Sequence, residues 1–351
     1  MSQYNPTDSV SSLQHTAMTS HHHPRRRTLL LSGLGFPFAS LAPLLAGAEV
    51  AWPNRSITLI APNAPGGPAD TLARAVANGM TKILNVPVVV ENKPGASGKI
   101  GIQALLRAPR DGYTLAVTSE TALSALPVFD KNVGYQSPAD FEPLSLAVRT
   151  PTVWCVHPSV PVNNLRELVA YAKANPGKLN YASFGNNSST HLASENFFRI
   201  LDVQLTHIPF KSETEGLNGL ISGQVQVMPL SGASKPHIAS KRIRGLATTS
   251  AIRWGFLPDI VTAREAGIPE LANYSYEPWL GFSAAAGIPK EVRERLNSAL
   301  RQSMASPAVK AMLSGFGYRI IASSPSEMTE AIQHDITSYR VLARSGRVTP
   351  E

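Results

Sequence analysis

The feature that most constrains the fold is a regular alternation of strand-like and helix-like segments along most of the chain. Short β-rich runs such as Ser56–Ala61 and Tyr113–Thr118 are each preceded or followed by a segment with helical periodicity. In the helical segment after the first run, Leu72, Val76 and Met80 fall on one face. The alternation predicts an α/β protein with largely parallel sheets, and the chain length predicts two domains.

The first residues are typical of an export signal. Arg25–Arg27 precedes an apolar run, Thr28–Ala46, and Ala46–Ala48 has the small-x-small form of a cleavage site. Residues 1–48 are therefore predicted to be a signal peptide with an N-terminal extension, which directs the mature protein to the periplasm. Both an ordinary Sec signal and a twin-arginine signal remain open from these residues.

The composition argues against several function classes. The formal charge is +8, but Lys and Arg are scattered and form no basic stripe with interleaved aromatics, which argues against nucleic-acid binding. Cys155 is the only cysteine and lies in an apolar run, so a buried, inert thiol is expected. The chain contains no CxxC, HExxH or G-x-S-x-G pattern. We therefore expect no metal, no cofactor and no enzymatic activity.

Two loops stand out because each follows a predicted strand and opens an amphipathic helix. They are Pro62–Asp70, with two adjacent glycines, and Ser183–His191, with three adjacent hydroxyl side chains. The start of a helix offers free backbone N–H groups and the positive end of the helix dipole, which together attract anions. Glycines also let the backbone approach a ligand closely. Two such loops in separate halves of the chain suggest a clamp around a small anionic ligand.

A set of short motifs follows in a fixed order from residue 52 towards the C-terminus. These motifs are Trp52-Pro53, Gly66-Gly67 with Asp70, Val88–Ala96 (VVVENKPGA), Asp111–Leu115 (DGYTL), Pro176–Tyr181 (PGKLNY), Ser188–Leu192 (SSTHL), and Gly281 with Gly287–Pro289. In this order and spacing they resemble those of the periplasmic solute-binding proteins of tripartite tricarboxylate transporters, the Bug family. The resemblance covers essentially the whole mature chain.

The resemblance implies a two-lobed periplasmic binding protein, a Venus-flytrap fold of type II-like architecture with two crossovers. Domain 1 is then expected to comprise residues 52–153 and 277–351, and domain 2 residues 154–276. In the family, a ligand carboxylate is held in the cleft between the domains, mainly by backbone amides. The two loops singled out above are the segments that would hold it here.

Carried over residue by residue, the resemblance predicts ligand contacts from both domains. The candidate residues are Asn63, Ala64, Pro65, Gly66, Gly67, Asp70, Thr118, Ser119 and Glu120 in domain 1, and Ser183, Asn186, Ser188, Ser189, Thr190, His191 and Ser231 in domain 2. Several of them have a simpler interpretation. Gly66-Gly67 can be only a tight turn, and Ser188–Thr190 only a helix cap. Asp70 can be merely a charge at a helix start, and His191 can merely bond locally at another.

The ligand class is narrowed by a departure from the family pattern. After the predicted strand Val225–Met228 many relatives carry an acidic residue that can meet a ligand's ammonium group, whereas this chain continues Pro229-Leu230-Ser231. The difference favours a ligand with carboxylates and no amine. Glu120 faces either a cation or hydroxyl of the ligand or the solvent, and we expect the solvent.

The resemblance also implies partners. A monomer would capture a small carboxylate and deliver it to the membrane subunits of a transporter. The same lobe surfaces would serve a sensor kinase ectodomain, so a role in ligand sensing remains open. An enzyme acting on a small carboxylic acid is the less favoured alternative.

Overall fold

The strands of the protein form two separate sheets. A computed structural model describes residues 52–350, so the predicted signal peptide at residues 1–48 lies outside the described residues. The strands are, in chain order, β1 Ile57–Ala61, β2 Val88–Asn92, β3 Thr114–Ser119, β4 Phe141–Arg149, β5 Val153–Val156, β6 Asn180–Ser183, β7 Thr206–Pro209, β8 Val227–Leu230, β9 Arg244–Thr248, β10 Trp279–Ala285 and β11 Arg319–Ile320.

The two sheets are mixed rather than purely parallel. Their strand orders are β11-β4-β10-β3-β1-β2 and β7-β6-β8-β5-β9. Strand β1 pairs in parallel with β2 and β3, and β6 pairs in parallel with β7 and β8. Strands β10 and β5 are antiparallel to their neighbours. They are the first strands after the chain has crossed to the other sheet, so they enter it from the opposite direction.

Helices cover both faces of each sheet, because each helix has one apolar stripe to bury. In the first sheet, α1 and α8 pack on one face, and α2 and α10 on the other. Within residues 52–350 the α-helices are α1 Pro68–Leu84, α2 Lys99–Leu106, α3 Leu126–Phe129, α4 Leu165–Ala174, α5 Ser189–Leu201, α6 Glu213–Ser222, α7 Lys235–Ala239, α8 Lys290–Ala305, α9 Pro307–Gly315 and α10 Pro325–Arg344.

Each sheet is the centre of one lobe, and two connecting segments join the lobes. We define lobe 1 as residues 52–149 and 279–350, lobe 2 as residues 153–274, and the connecting segments as residues 150–152 and 275–278. The segments lie side by side, since the Thr150 N–H donates to the Pro278 carbonyl at 2.7 Å. The two-lobed α/β fold expected from the sequence is confirmed. The exact domain limits, after residues 153 and 276, stay a prediction.

The carboxyl ends of the parallel strands face the opposite lobe in both sheets. Strands β3 and β4 both run antiparallel to β10, so the carboxyl ends of β1 to β4 lie at the edge where the chain leaves lobe 1. Strands β8 and β9 both run antiparallel to β5, which enters lobe 2 from the connecting segment. The loops after β1 and β6 therefore lie on facing edges, as in other open α/β sheets that bind ligands at strand ends.

Some elements differ from the sequence expectation. The strand expected at Val225–Met228 is β8, two residues later, because Pro229 and Leu230 pair with β5 and are buried. No sequence pattern predicted the π-helical turn Thr121–Ala125 that leads into α3, or the two-residue strand β11. None of the helices within residues 52–350 combines the length and apolar character that crossing a bilayer requires.

Candidate functional site

The loop after β1 is organised by one buried carboxylate. Asp70 accepts hydrogen bonds from the Gly66 N–H and the Arg74 Nε, both at 2.9 Å. Asn92, at the end of β2, donates its amide to Asp70 at 2.9 Å and to the Asn63 carbonyl at 3.0 Å. The hydrogen bond from Arg74 is the largest of the effects that lower the pKa of Asp70 to about 2. Asp70 therefore braces the loop as an ionised side chain.

The glycine amides of this loop are not free, which corrects the sequence expectation. The Gly66 N–H is bound by Asp70, and the Gly67 N–H donates to the Ala64 carbonyl at 3.0 Å. Gly66 adopts φ +80°, a conformation that favours glycine, and it is exposed. No hydrogen bond within residues 52–350 engages the N–H of Ala64 or of Asp70. These two amides are the open donors at the start of α1.

The hydroxyl groups in the loop after β6 are mostly used to build the loop itself. Ser183 is fully buried and donates to the Gly185 carbonyl at 3.0 Å. Ser188 donates to the same carbonyl at 2.7 Å and accepts from the His191 N–H, which caps α5. Thr190 is buried and accepts from the Phe184 N–H at 3.3 Å. The Ser188 hydroxyl is therefore committed to the loop and to the cap of α5. Ligand contact by Ser188 and Thr190 stays a prediction.

Main-chain donors, in contrast, remain open in this second loop. Asn187 has φ 55° and its N–H is held by the His191 Nδ1 at 3.1 Å. Within residues 52–350 no hydrogen bond uses the N–H of Asn186, Ser189 or Thr190. The last two are the first two residues of α5, where a helix leaves donors without internal partners. Backbone amides are thus the donors that the start of α5 leaves open within residues 52–350.

His191 takes part in a stacked imidazole pair behind the second loop. Its ring lies 4.0 Å from that of His207, with 13° between the planes, and Ser183 lies 2.6 Å from the His207 Nε2. Burial lowers the pKa of both histidines to about 4, so both are neutral near pH 7. Nδ1 of His191 accepts from the Asn187 N–H, so the contacts of His191 fit the interpretation that it bonds locally at the start of α5.

Strand ends supply the remaining predicted residues. Thr118 is fully buried and shares a hydrogen bond with Ser283 at 3.0 Å, so its side chain does not reach the cleft. Ser119 accepts from the Ala122 N–H at 3.2 Å and caps the turn that follows β3. The Ser231 N–H donates to Glu213 Oε1 at 2.6 Å.

Glu213 brings a carboxyl to the segment after β8, which has none of its own. It is the first residue of α6 and accepts from the Ser231 N–H. Burial raises the pKa of this carboxyl, which favours its neutral form. The expectation of a ligand without an amine stays a prediction. Glu213 had no sequence signal, because its contact with Ser231 joins two separate elements.

Glu120 is buried and does not face the solvent, which corrects that expectation. The residue is 3% exposed. Tyr276, from the connecting segment, lies 3.1 Å from Glu120 Oε2, and Tyr339, on α10, is hydrogen-bonded to Oε1. The Tyr276 hydroxyl also lies 3.3 Å from the Ser189 carbonyl. Burial first, and the neighbouring Asp335 carboxyl second, raise the pKa of Glu120 to about 8.

A cavity joins the two lobes beside these loops. It has a volume of about 340 Å³ and is lined by Ala96, Lys99 and Asp130 of lobe 1 and by Asn186 and Asn187 of lobe 2, among others. The Lys99 Nζ lies 2.8 Å from the Asp130 carboxylate on the cavity wall. The first loop is adjacent to this wall, because a Cβ placed on Gly98 would lie 3.5 Å from Pro62.

The comparisons with known proteins agree with this two-lobed fold. The family model "Tripartite tricarboxylate transporter family receptor" matches residues 72–346. The chain belongs to this family. Among curated relatives, a UPF0065 protein from a Pseudomonas species is 35% identical over 84% of this chain and 89% of its own length. A UPF0065 protein of Bordetella pertussis is 33% identical over 89% of this chain and 95% of its own length.

Solved structures of family members have the same fold. A Rhodopseudomonas palustris protein with adipate is 30% identical, with a TM-score of 0.74 over 86% of this chain and 100% of that one. The periplasmic binding protein BugD is 30% identical, with a TM-score of 0.71 over the same shares. MatC from R. palustris, with bound malate, is 27% identical, with a TM-score of 0.70 over 83% of this chain and 99% of its own. These relatives are periplasmic binding proteins of two lobes.

Proposed function

We propose that the protein captures a small carboxylate in the cleft between its lobes and delivers it to a tripartite tricarboxylate-type transporter. One observation carries the proposal: open main-chain donors lie at the starts of α1 and α5, on strand ends that face each other. One related structure contains adipate and another contains bound malate, and both of these compounds carry two carboxylates. Capture takes place in the periplasm, after export by residues 1–48, and involves no chemical turnover.

In both loops some backbone amides contact the ligand, and other groups hold those amides in place. Ala64 and the Asp70 N–H in lobe 1, with the amides of Asn186, Ser189 and Thr190 in lobe 2, contact the ligand. Amides at a helix start bind an anion with little ordering cost, because the helix already fixes them. The remaining predicted residues shape the two loops around these donors. They are Asn63, Pro65, Gly66, Gly67, the Asp70 side chain, Thr118, Ser119, Ser183, Ser188, His191 and Ser231.

A substitution that removes a single backbone donor tests this proposal. Ser189→Pro deletes one open N–H at the first position of α5, where proline is tolerated. Ser188 before it has φ −68° and ψ 158°, which a following proline allows. A charge-assisted hydrogen bond contributes about 1.5–3 kcal/mol. We therefore expect Ser189→Pro to raise the dissociation constant for a bound dicarboxylate by about tenfold to a hundredfold.

The control keeps the amide and removes only the hydroxyl. Ser189→Ala is expected to bind with nearly unchanged affinity, and both variants should keep the far-UV spectrum of the parent. Isothermal titration calorimetry with adipate, malate and other mono-, di- and tricarboxylates measures the affinities, and recovery of unchanged ligand excludes turnover. No binding of any carboxylate by folded, ligand-free protein would contradict the proposal. Equal affinities of Ser189→Pro and the parent would remove the start of α5 from the site.

A further inference from the structure

Glu120, Tyr276 and Ser189 form a chain of contacts from lobe 1, through a connecting segment, to the ligand-facing end of α5. Glu120 follows the last residue of β3, and its two carboxyl oxygens meet the hydroxyls of Tyr276 and Tyr339. The Tyr276 hydroxyl lies 3.1 Å from Glu120 and 3.3 Å from the carbonyl of Ser189. One hydroxyl thus touches both the end of β3 and the first residue of the helix in lobe 2.

The number of hydrogens on the Glu120 carboxyl and the two tyrosine hydroxyls decides which of these contacts are hydrogen bonds. A tyrosine hydroxyl has one hydrogen to donate, and an ionised carboxylate only accepts. If Glu120 is ionised, both tyrosines donate to it, and the Ser189 carbonyl receives no full hydrogen bond from Tyr276. If Glu120 is protonated, it donates to the Tyr276 oxygen, Tyr276 donates to Ser189, and Tyr339 donates to the other Glu120 oxygen. Only the protonated form gives each contact its own hydrogen.

The surroundings of Glu120, taken together, favour the protonated form. Asp335, on α10, places a second carboxyl nearby, which opposes ionisation, whereas the hydrogen bonds from Tyr339 and Tyr276, and then the charge of Arg149 at the end of β4, favour it. Asp335 is itself engaged by the Trp279 Nε1 at 2.8 Å, and His334 beside it is mostly exposed. Burial is the largest of these effects, and it disfavours the charged form.

We propose that Glu120 is a positioning residue for ligand binding, whose proton lets Tyr276 hold the ligand-facing start of α5 against lobe 1. Removal of the proton turns Tyr276 toward Glu120 and releases the Ser189 carbonyl, so the open amides of α5 are no longer fixed relative to lobe 1. The inference rests on the proposed function, because it assumes that these amides contact the ligand. It adds a dependence of affinity on pH that originates outside the ligand-binding loops.

Two variants test the role of the Glu120 proton and the role of the Tyr276 hydroxyl separately. Glu120→Gln keeps a donor toward Tyr276 and an acceptor for Tyr339 but cannot ionise. Tyr276→Phe keeps the ring and removes the link to Ser189. Tyr171→Phe, on α4 and away from this chain of contacts, is the matched control. We expect the parent's dissociation constant for adipate to rise by about tenfold from pH 6 to pH 9, since an ionised Glu120 no longer supports the bound arrangement.

The variants should differ from the parent in opposite ways. Glu120→Gln is expected to bind adipate with the parent's pH 6 affinity across the whole range, and Tyr276→Phe to bind weakly at every pH. Tyr171→Phe should follow the parent. Isothermal titration calorimetry at pH 6, 7, 8 and 9 gives these curves, with malate as a second probe. The same pH dependence in the parent and in Glu120→Gln would overturn the inference.

Two measurements without ligand keep this inference distinct from the proposed function. The folded parent should lose stability to urea as the pH rises from 6 to 9, because a raised folded-state pKa stabilises the protein only while the proton is bound. Glu120→Gln should lack that loss. Hydrogen exchange at pH 7 should be faster in the peptide covering residues 189–201 of Tyr276→Phe than in the parent. If no carboxylate binds, the proposed function fails, but equal stability slopes or equal exchange rates would overturn the positioning role independently.

Discussion

Asp70 uses both of its carboxylate oxygens inside the first loop. Its partners are a backbone amide, a guanidinium and a side-chain amide from the next strand, Gly66, Arg74 and Asn92. Such charge-assisted hydrogen bonds are stronger than neutral ones and fix the loop before any ligand arrives. At the scale of the residue, the polar side chains near the cleft are therefore mainly builders of the loops whose backbone is left to bind.

Replacement of Asp70 should reveal this support role. In Asp70→Ala the Gly66 N–H loses its acceptor and the loop loses its brace, so we expect a loss of about 1–3 kcal/mol in unfolding free energy. Adipate affinity should fall by at least fivefold. Urea denaturation and calorimetry measure the two effects.

Glu294→Ala provides the control for Asp70→Ala, because Glu294 is an exposed carboxylate on α8 whose nearest cation is 3.8 Å away. It is expected to leave both quantities nearly unchanged. Parent-like stability together with parent-like affinity in Asp70→Ala would show that the first loop keeps its conformation without this carboxylate.

The helices differ in how completely side chains cap the backbone amides at their first turn. This difference distinguishes α1 and α5, which start at the proposed site, from α10. Helix α1 begins after Gly67, which offers no side-chain acceptor, and α5 begins after Ser188, whose side chain accepts from one backbone amide of the helix, the His191 N–H. Helix α10 instead has a full capping box, in which Ser324 and Glu327 satisfy each other's backbone amides. At the scale of the element, incomplete capping leaves backbone donors open at the starts of α1 and α5, where two sheet edges face each other. The capping box of α10 leaves no such donors at the capped positions.

The capping box of α10 should contribute measurably to stability. Ser324→Ala removes the acceptor for the Glu327 N–H, and the loss of such a cap costs about 1 kcal/mol. For a protein of this size we expect the thermal midpoint to fall by about 2 °C. Differential scanning calorimetry checks this value. Gln333→Ala, at an exposed position of the same helix, should shift the midpoint by less than half as much, and an equal shift in both variants would argue against the cap as the cause.

Contacts across the boundary between the lobes cluster beside the connecting segments. Glu277, in the second segment, is almost fully buried and binds Arg319 of β11 through three short contacts of 2.8–3.0 Å. Trp254 of lobe 2 donates its indole N–H to the Gly317 carbonyl of lobe 1 at 2.9 Å. At the scale of the whole molecule, these contacts fix where the lobes meet and leave the edges with the two loops free to receive a ligand.

Loss of the charge on Glu277 should loosen this boundary. Glu277→Gln keeps the shape of the side chain but leaves Arg319 without its bidentate partner, so we expect a loss of about 1–3 kcal/mol in unfolding free energy. We also expect weaker adipate binding, because the lobes are held less firmly.

Urea denaturation and calorimetry measure these effects of Glu277→Gln. The same change at the exposed Glu330 on α10, Glu330→Gln, is the control and should alter neither quantity. Unchanged stability of Glu277→Gln would show that the ion pair contributes nothing to holding the lobes together.

Much of the fold could be predicted from local sequence patterns. The pattern of apolar residues predicted the strand-like runs Ser56–Ala61 and Tyr113–Thr118, which overlap β1 and β3, and the helical segment with Leu72, Val76 and Met80 on one face, which is α1. The two loops could be found because glycine, proline and hydroxyl residues at the start of an amphipathic segment have local conformational meaning. The family resemblance rested on the same local motifs, and the family match covers residues 72–346.

The sequence by itself determined the elements, the two-lobed class and the two loops. Only the tertiary structure decided which groups in those loops remain open, and that Glu120 is buried rather than exposed. Its partners Tyr276 and Tyr339 are 156 and 219 residues away along the chain. The physical reason is that helical and strand periodicity depends on neighbours in sequence. Burial and hydrogen-bond pairing depend instead on which strand ends the sheet order and the two crossings bring together.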